Sequence, residues 1–303
     1  MNIAITGGSG FIGELLAEKH LESGDQVRIL TRHAPTKLGN SQYFFGDLTD
    51  PKVDLSEFVE NVDILYHCAG ELSNKSLMQS LHVDGTKALV SAARNKVGLW
   101  VQLSSIGAYG SCRSGVVTEK YKEKPRGIYE TTKTESDSIV QNSDIPFVIV
   151  RPSNVFGVSM KNMSLFQLIR VIQMGHFVYL NNHHALVNYV HVGDVVNALF
   201  CCGIRNNSTN KIYIVSQSIE VEKMVKVFCR ALEVSHNFRN FPESAVRGIT
   251  RLLERFPGIP LTTSRIDALT SYCKYDSSKI KKELKFEFSS SLEEYLKLMV
   301  NIK

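Results

Sequence analysis

The chain has 303 residues, of which 43% are hydrophobic and 21% charged, and its 35 basic and 30 acidic side chains give a net charge of +5. This composition is typical of a globular protein and excludes a largely disordered chain. The charges are scattered, with no run of five or six basic residues, so the sequence does not favour nucleic acid as a partner. The length allows one large domain or two modest ones.

Cysteine spacing and hydropathy predict a cytoplasmic protein. The six cysteines show no C-x-x-C spacing and no paired histidine ligands. We interpret them as reduced thiols and expect no metal site. The first residues lack the pattern of a signal peptide. No apolar run approaches the ~18–20 residues of a membrane span, so we expect no membrane partner.

The first half of the chain alternates short apolar, β-branched runs with amphipathic segments. This alternation predicts an α/β fold, a Rossmann doubly wound parallel sheet with helices on both faces. The predicted strands are Asn2–Thr6, Gln26–Leu30, Gln42–Phe45, Asp63–Cys68, Leu99–Ser104 and Pro146–Val150. The predicted helices between them include Phe11–Ser23, Ser76–Lys96 and Tyr129–Gln141.

The pattern changes after about residue 155, where helical runs surround short extended pieces. We predict a first domain over residues 1–155 and a smaller lobe over 156–303, with some segments returning to the first domain. Ligands of open α/β sheets bind beyond the carboxyl ends of the strands, so a lobe placed there closes a cleft. The predicted elements of this half are helices Leu165–Met174, Asp194–Cys202, Val221–Leu232, Glu243–Arg255 and Leu292–Val300, with strands Phe177–Leu180 and Ile212–Val215.

A glycine-rich run directly follows the first predicted strand. Residues 6–13 read TGGSGFIG, in which Gly8, Gly10 and Gly13 fit G-x-G-x-x-G and Gly7, Gly10 and Gly13 fit G-x-x-G-x-x-G. Glycines at this spacing permit a tight turn and a close backbone approach to a pyrophosphate, at a helix N-terminus with free N–H groups. The strand before and the helix after the run predict a dinucleotide site in the first domain.

The end of the second predicted strand bears on the choice of cofactor. Enzymes that use NAD usually carry an acidic residue there for the ribose 2′-hydroxyl. Residues 30–33 read LTRH and offer no carboxylate. Arg32 is instead a candidate partner of a 2′-phosphate, the alternative being a solvated loop arginine. The sequence therefore predicts NADP(H) as the preferred cofactor, with NAD(H) also possible.

An ordered set of motifs runs through the whole chain. After the glycine run come GDL at 46–48, YHCAG at 66–70, SSIGAYG at 104–110, Tyr129-x-x-x-Lys133, RPSNVFG at 151–157, YVHVGDV at 189–195 and YDSSK at 275–279. In this order the chain resembles the extended short-chain dehydrogenase/reductases, the NAD-dependent epimerase/dehydratase family. That family includes nucleotide-sugar epimerases, dehydratases and ketoreductases.

The resemblance implies a catalytic role for three residues. Tyr129 would be the general acid/base beside the reacting carbonyl or alcohol. Free tyrosine has a pKa of about 10, and the Lys133 cation would favour its phenolate and hydrogen-bond the nicotinamide ribose. Ser105 would hydrogen-bond the substrate oxygen. The hydride chemistry would come from the nicotinamide.

The resemblance also implies binding residues. The cofactor would contact Tyr129 and Lys133 together with Gly7, Gly10, Phe11, Ile12, Gly13, Arg32, Asp47, Leu48, Ala69, Gly70 and Ser153. The substrate would contact Ser105, Asn154, Lys161 and Arg265.

Three positions depart from the family's patterns. Ile106-Gly107 stands where the dehydratases carry Asp-Glu, so a dehydratase would lack its second acid/base pair. His82 replaces the asparagine that precedes x-x-Gly-Thr. Val187 stands where many nucleotide-sugar enzymes place an arginine that binds the pyrophosphate, and Lys161 and Arg265 are the candidate replacements.

The leading hypothesis is an NADP(H)-linked reductase of a keto sugar bound to a nucleoside diphosphate. The alternatives are a nucleotide-sugar 4-epimerase, a reductase or dehydrogenase of a non-sugar carbonyl, and a non-catalytic NADP-binding sensor or assembly protein. In this family the helices at 76–96 and 129–141 commonly pair across a two-fold axis, so we expect a homodimer.

Overall fold

The computed structural model describes residues 1–33, 39–160, 163–180, 184–205, 208–253 and 263–300. The strands are β1 (Asn2–Thr6), β2 (Gln26–Thr31), β3 (Gln42–Phe45), β4 (Val62–His67), β5 (Val97–Leu103), β6 (Ser114–Val117), β7 (Phe147–Pro152), β8 (Asn154–Phe156), β9 (Tyr179–Leu180), β10 (Leu186–His191), β11 (Lys211–Val215), β12 (Gln217–Glu220), β13 (Asn240–Phe241) and β14 (Tyr272–Tyr275).

The α-helices alternate with these strands in the first half and predominate in the second. They are α1 (Gly13–Glu22), α2 (Lys75–Met78), α3 (Gly85–Ala93), α4 (Ile128–Gln141), α5 (Ser164–Gln173), α6 (Val192–Ile204), α7 (Val221–Leu232), α8 (Glu243–Leu253), α9 (Thr263–Leu269), α10 (Ser278–Leu284) and α11 (Leu292–Val300).

A seven-stranded parallel sheet with the order β11-β7-β5-β4-β1-β2-β3 forms the centre of the molecule. The predicted Rossmann α/β fold is confirmed. Alternate residues of each strand point to opposite faces, so Ile3 and Ile5 pack with α1 and α6. Ala4 and Trp100 lie in the opposite cluster with α3 and α4. Burial on both faces explains why the strands read as nearly continuous apolar runs.

The second half of the chain contributes to both layers. Strand β11 pairs with β7 at the edge of the large sheet, and α6 packs beside α1. Strands β8, β10 and β12 form a separate small sheet, against which α5, α7 and α11 build a second apolar cluster. The predicted boundary between residues 155 and 156 stays a prediction.

Several features differ from the sequence prediction, among them the small sheet of β8, β10 and β12, whose strands were not predicted. The helix expected over Ser76–Lys96 consists of α2, a π-helical turn at Gln79–Asp84 and α3. Strands β6 and β14 pair in parallel although more than 150 residues separate them, and neither was predicted. No helix in the described part of the chain is both long and apolar enough to span a bilayer. The predicted cytoplasmic location stays a prediction.

Candidate active site

The glycine run forms a tight turn between β1 and α1. Gly7 has φ +69°, a conformation that glycine adopts without strain. A Cβ on Gly7 would lie 2.7 Å from the backbone nitrogen of Ala69, and one on Gly13 would lie 2.3 Å from the carbonyl oxygen of Gly7. The amide of Gly10 closes the turn on the same carbonyl oxygen at 3.0 Å. The two glycines thus allow the tight turn and the close packing of α1 and of residues 68–69 against it, and the turn fits a dinucleotide.

The segment after β4 lies against this turn. Thr6 Oγ1 accepts a 3.3 Å hydrogen bond from the amide of Ala69 and lies 2.6 Å from Nδ1 of His67. The backbone of residues 68–70 therefore runs beside the glycine turn at the carboxyl ends of β1 and β4. Open parallel sheets bind ligands at this edge.

Helix α4 carries the Tyr129–Lys133 pair at the same edge. Glu130, in its first turn, accepts hydrogen bonds from the amides of Arg126 and Gly127 and so caps the helix. Lys133 follows Tyr129 by one turn and is 5% exposed. Its ammonium donates a 2.6 Å hydrogen bond to the carbonyl oxygen of Leu103, the last residue of β5.

The Ser105 hydroxyl lies near the Tyr129 phenol and accepts a 3.0 Å hydrogen bond from the amide of Gly107. Burial raises the pKa of Tyr129 to about 12, and the nearby Ser105 hydroxyl acts in the opposite direction. Burial also lowers the pKa of Lys133, and the charge of Asp137 opposes that shift. The protein alone thus holds a neutral phenol and a buried ammonium one helical turn apart.

A buried ionic cluster lies on the next turn of α4. Arg151 donates to Asp137 Oδ2 from Nε at 3.1 Å and from a terminal nitrogen at 2.9 Å, and it also donates to Glu123. Ser104 donates to the same Asp137 oxygen at 2.6 Å. Burial raises the pKa of the Asp137 carboxyl, and the Arg151 charge opposes that increase. These bonds join α4 to β7 and to the residue before Ser105.

His82 connects α4 to the segment after β4. Its Nε2 accepts a 2.9 Å hydrogen bond from the amide of Glu71, and its Nδ1 lies 2.8 Å from Thr132 Oγ1. Because Nε2 accepts, the neutral ring carries its proton on Nδ1 and donates it to Thr132. Burial, assisted by the Lys133 charge, lowers the pKa of His82 to about 4.

The predicted adenosine end of the site is open. Arg32 directly follows β2, is 56% exposed and lies 4.0 Å from the Asp47 carboxylate. The other Asp47 oxygen accepts hydrogen bonds from the amide and hydroxyl of Thr49. The Leu48 side chain is buried in the core, so only its backbone is available to a ligand. Phe11 packs between the clusters of the two lobes.

Ser153 and Asn154 lead from the sheet edge into the second lobe. The Ser153 hydroxyl is buried and has no hydrogen-bond partner among the described residues. Asn154 donates to the carbonyl oxygen of Asn188 at 3.1 Å and lines a cavity of about 530 Å³. Val187 and Tyr189 of β10 line it with apolar residues of α5, α7, α8 and α9, and the described lining includes no Lys, Arg, Asp or Glu.

The structure assembles most of the predicted residues at one edge of the sheet. Ser105, Tyr129 and Lys133 lie together, but none of them lines the 530 Å³ cavity, which Asn154 reaches. Lys161 lies outside the described residues, as does the side chain of Arg265. His191 Nδ1 accepts a 3.2 Å hydrogen bond from the amide of Gly193 and so caps the start of α6.

Sequence reasoning missed the supporting polar residues. Asp137 and Ser136 share the buried face of α4 with Lys133, so polar residues on the inner face of an amphipathic helix were the available signal. The bond between His82 and Thr132 spans 50 residues of sequence and left no local pattern.

His184, Glu220 and Glu222 offer ligand atoms within 4.8 Å of one another, but exposed acidic groups commonly cluster in this way without an ion.

The model of the NAD dependent epimerase/dehydratase family matches residues 3–216. The chain belongs to this family. The match spans β1 to the end of β11, and so includes the glycine turn, Ser105 and the Tyr129–Lys133 pair. The resemblance inferred from the motifs is confirmed.

Relatives within the NAD dependent epimerase/dehydratase family differ in their activities. The low-salt glycan biosynthesis protein Agl12 of Haloferax volcanii is 28% identical over 52% of the chain and 57% of its own length. A 4-hydroxy-2-methyl-3-oxo-4-farnesyl-3,4-dihydroquinoline-1-oxide ketoreductase of Stigmatella aurantiaca is 24% identical over 84% of the chain and 80% of its own length. The match with Agl12 thus spans little more than half of that protein.

Solved structures share the whole fold. UDP-glucuronic acid 4-epimerase from Bacillus cereus, in complex with UDP-glucuronic acid and NAD, aligns with a TM-score of 0.77 at 18% identity. The alignment covers 100% of the chain and 98% of the epimerase. At this identity the likeness establishes the fold alone.

Proposed function

We propose that the protein is an NAD(P)-dependent oxidoreductase that reduces a carbonyl group, with Tyr129 as the general acid. The observation that carries this proposal is the placement of the Ser105 hydroxyl near the Tyr129 phenol, with Lys133 one helical turn away, at the sheet edge that also carries the glycine turn. A non-catalytic nucleotide-binding protein has no need of this arrangement.

The proposed chemistry divides between the cofactor and the chain. A bound nicotinamide supplies the hydride. Ser105 orients the carbonyl oxygen, and Tyr129 donates its phenolic proton to that oxygen as negative charge develops there. The Lys133 ammonium stabilises the resulting phenolate through its nearby opposite charge. The glycine turn, Ala69, Gly70, Ser153 and the rim residues Arg32 and Asp47 would hold the dinucleotide.

The proposed substrate is a keto sugar linked to a nucleoside diphosphate, and the proposed preferred cofactor is NADPH. Asn154 at the mouth of the cavity supports such a substrate, as does the likeness to Agl12 and to the epimerase that binds UDP-glucuronic acid. Lys161 and Arg265 are the proposed partners of the diphosphate.

A second candidate is reduction of an apolar ketone. The described cavity lining has no charged side chain, and Val187 occupies the position of the usual arginine. The Stigmatella ketoreductase, whose printed name specifies a farnesylated quinoline oxide, is consistent with this alternative.

A single assay separates these functions. The protein is incubated with NADPH and a UDP-linked keto sugar, and NADPH oxidation and the sugar product are followed together. A reductase consumes one NADPH per sugar reduced, whereas an epimerase interconverts UDP-sugars without net cofactor oxidation. Lys161→Ala and Arg265→Ala should raise KM for the UDP-sugar at least ten-fold. Unchanged KM in both variants would favour the apolar ketone.

A further inference from the structure

We infer that His82 is a positioning residue, which holds the backbone of residues 69–71 at the cofactor site and fixes that segment to the helix that carries Tyr129 and Lys133. The inference rests on the proposed function, because it assigns His82 a role in binding the dinucleotide. His82 is 1% exposed, so its ring acts through its protein partners.

Nε2 of His82 binds the segment after β4. The Glu71 amide donates to Nε2 at 2.9 Å, and the Cα of Gly70 passes so close that a Cβ there would lie 3.7 Å from Nε2. Two residues earlier, the amide of Ala69 donates to Thr6 and packs against the Gly7 turn. The segment is therefore held at one end by β1 and at the other by His82.

Nδ1 of His82 binds helix α4. Nδ1 donates to Thr132 Oγ1 at 2.8 Å, and Thr132 immediately precedes Lys133. The ring of His82 also meets the ring of Tyr129 edge to face, with the centroids 5.7 Å apart. Such contacts favour one relative orientation of two rings. One imidazole thus fixes both the cofactor segment and the acid/base helix.

The geometry requires both ring nitrogens. An asparagine side chain can reach the position of Nδ1, and a glutamine can reach that of Nε2, but neither reaches both. His82 belongs to the π-helical turn at Gln79–Asp84, and such turns are frequent at functional sites. His82→Asn and His82→Gln therefore each keep one of the two hydrogen bonds, so that the two bonds can be tested separately.

Hydrogen exchange at the Glu71 amide tests the hydrogen bond itself, without substrate or cofactor. His82→Asn keeps the bond to Thr132 and loses the acceptor for Glu71, so the amide should exchange about ten-fold faster, as expected for the loss of one buried hydrogen bond. His82→Gln keeps the acceptor and should exchange like the wild type. Thr132→Val removes the partner of Nδ1, together with the hydroxyl's bonds to the carbonyl oxygens of Ile128 and Tyr129, but leaves the acceptor for Glu71 in place. It is the matched control and should also exchange slowly.

Titration with NADH and with NADPH then tests the positioning role, with melting temperatures measured in parallel. Affinity for both cofactors should fall about ten-fold in His82→Asn and stay within about three-fold of wild type in His82→Gln. A purely structural role predicts that affinity follows melting temperature in both variants alike. That result, or equal Glu71 exchange in both, would overturn the inference. If His82→Asn does not fold, loss of Glu71 protection in His82→Gln would overturn it.

The two proposals fail in different ways. A wild-type protein that binds neither NADH nor NADPH contradicts the proposed function and the positioning role that depends on it. Normal cofactor binding with unchanged exchange in His82→Asn contradicts the inference alone.

Discussion

The ammonium of Lys133 is fixed by the carbonyl oxygen of Leu103, 2.6 Å away at the end of β5. A buried lysine needs such partners, because burial opposes its charged form. The hydrogen bond places the cation at the edge of the sheet, one helical turn from Tyr129.

Replacing this cation should impair both binding and chemistry. Lys133→Met removes the charge that we propose favours the phenolate, and with it the proposed contact with the ribose. We expect turnover to fall at least about 100-fold and cofactor affinity to weaken about ten-fold. Turnover and NADPH titration measure the two effects separately. Thr134→Val, also on α4, is a control expected to change neither, and wild-type behaviour of Lys133→Met would contradict the proposed role.

The proposed preference for NADPH depends on the proposed contact of Arg32 with the 2′-phosphate. A charge-assisted hydrogen bond to a 2′-phosphate is worth about 1.5–3 kcal/mol, so NADPH should bind on the order of 10- to 150-fold more tightly than NADH. Arg32→Ala should remove most of this difference by weakening NADPH alone. Asp47→Asn removes the carboxylate that lies 4.0 Å from Arg32 and should increase the preference for NADPH. Equal affinity of the wild type for both cofactors would contradict the assignment.

Stability should decrease in mild acid because His82 is held neutral. Its pKa is about 4 in the folded protein, with Lys133 opposing its charge and Glu71 favouring it, against about 6.5 when unfolded. The contribution of the neutral His82 ring to the free energy of unfolding is therefore fully present above pH 6.5 and is lost as the pH falls toward 4. Urea melts at several pH values should show a shallower loss for His82→Gln, in which the residue does not titrate. If stability depends on pH in the same way in the wild type and in His82→Gln, the assignment of this pH dependence to His82 is contradicted.

The proposed homodimer uses the outer faces of α3 and α4. Apart from Ile128 at the start of α4, their exposed residues are polar, with Lys87 on α3 and Glu135 on α4 offering opposite charges to a second copy. Light scattering at micromolar concentration should give twice the chain mass. Ser138→Trp, at an exposed position on α4, should shift the protein toward the monomer. A monomer mass for the wild type would contradict the proposal.

Local patterns were sufficient for most of the sheet and for placing Tyr129 and Lys133 one turn apart on a helix. Strands β1 and β3 have their predicted bounds, because short apolar runs between turns define a buried parallel strand. The π-helical turn was hidden, since its composition matches that of an α-helix. The pairing of β6 with β14 and the contact of His82 with Thr132 join distant parts of the chain. Only tertiary packing determines such contacts.

The central claim is that Tyr129 transfers the proton during NAD(P)H-dependent carbonyl reduction, and the turnover of Tyr129→Phe tests it most directly. Phenylalanine keeps the ring and its packing against His82 but lacks the hydroxyl. With NADPH and the keto substrate found by the assay above, turnover should fall by about 10²–10⁴, the usual span for a general acid. Affinity for NADPH should stay within a few-fold of the wild type. Wild-type turnover in Tyr129→Phe would contradict the account.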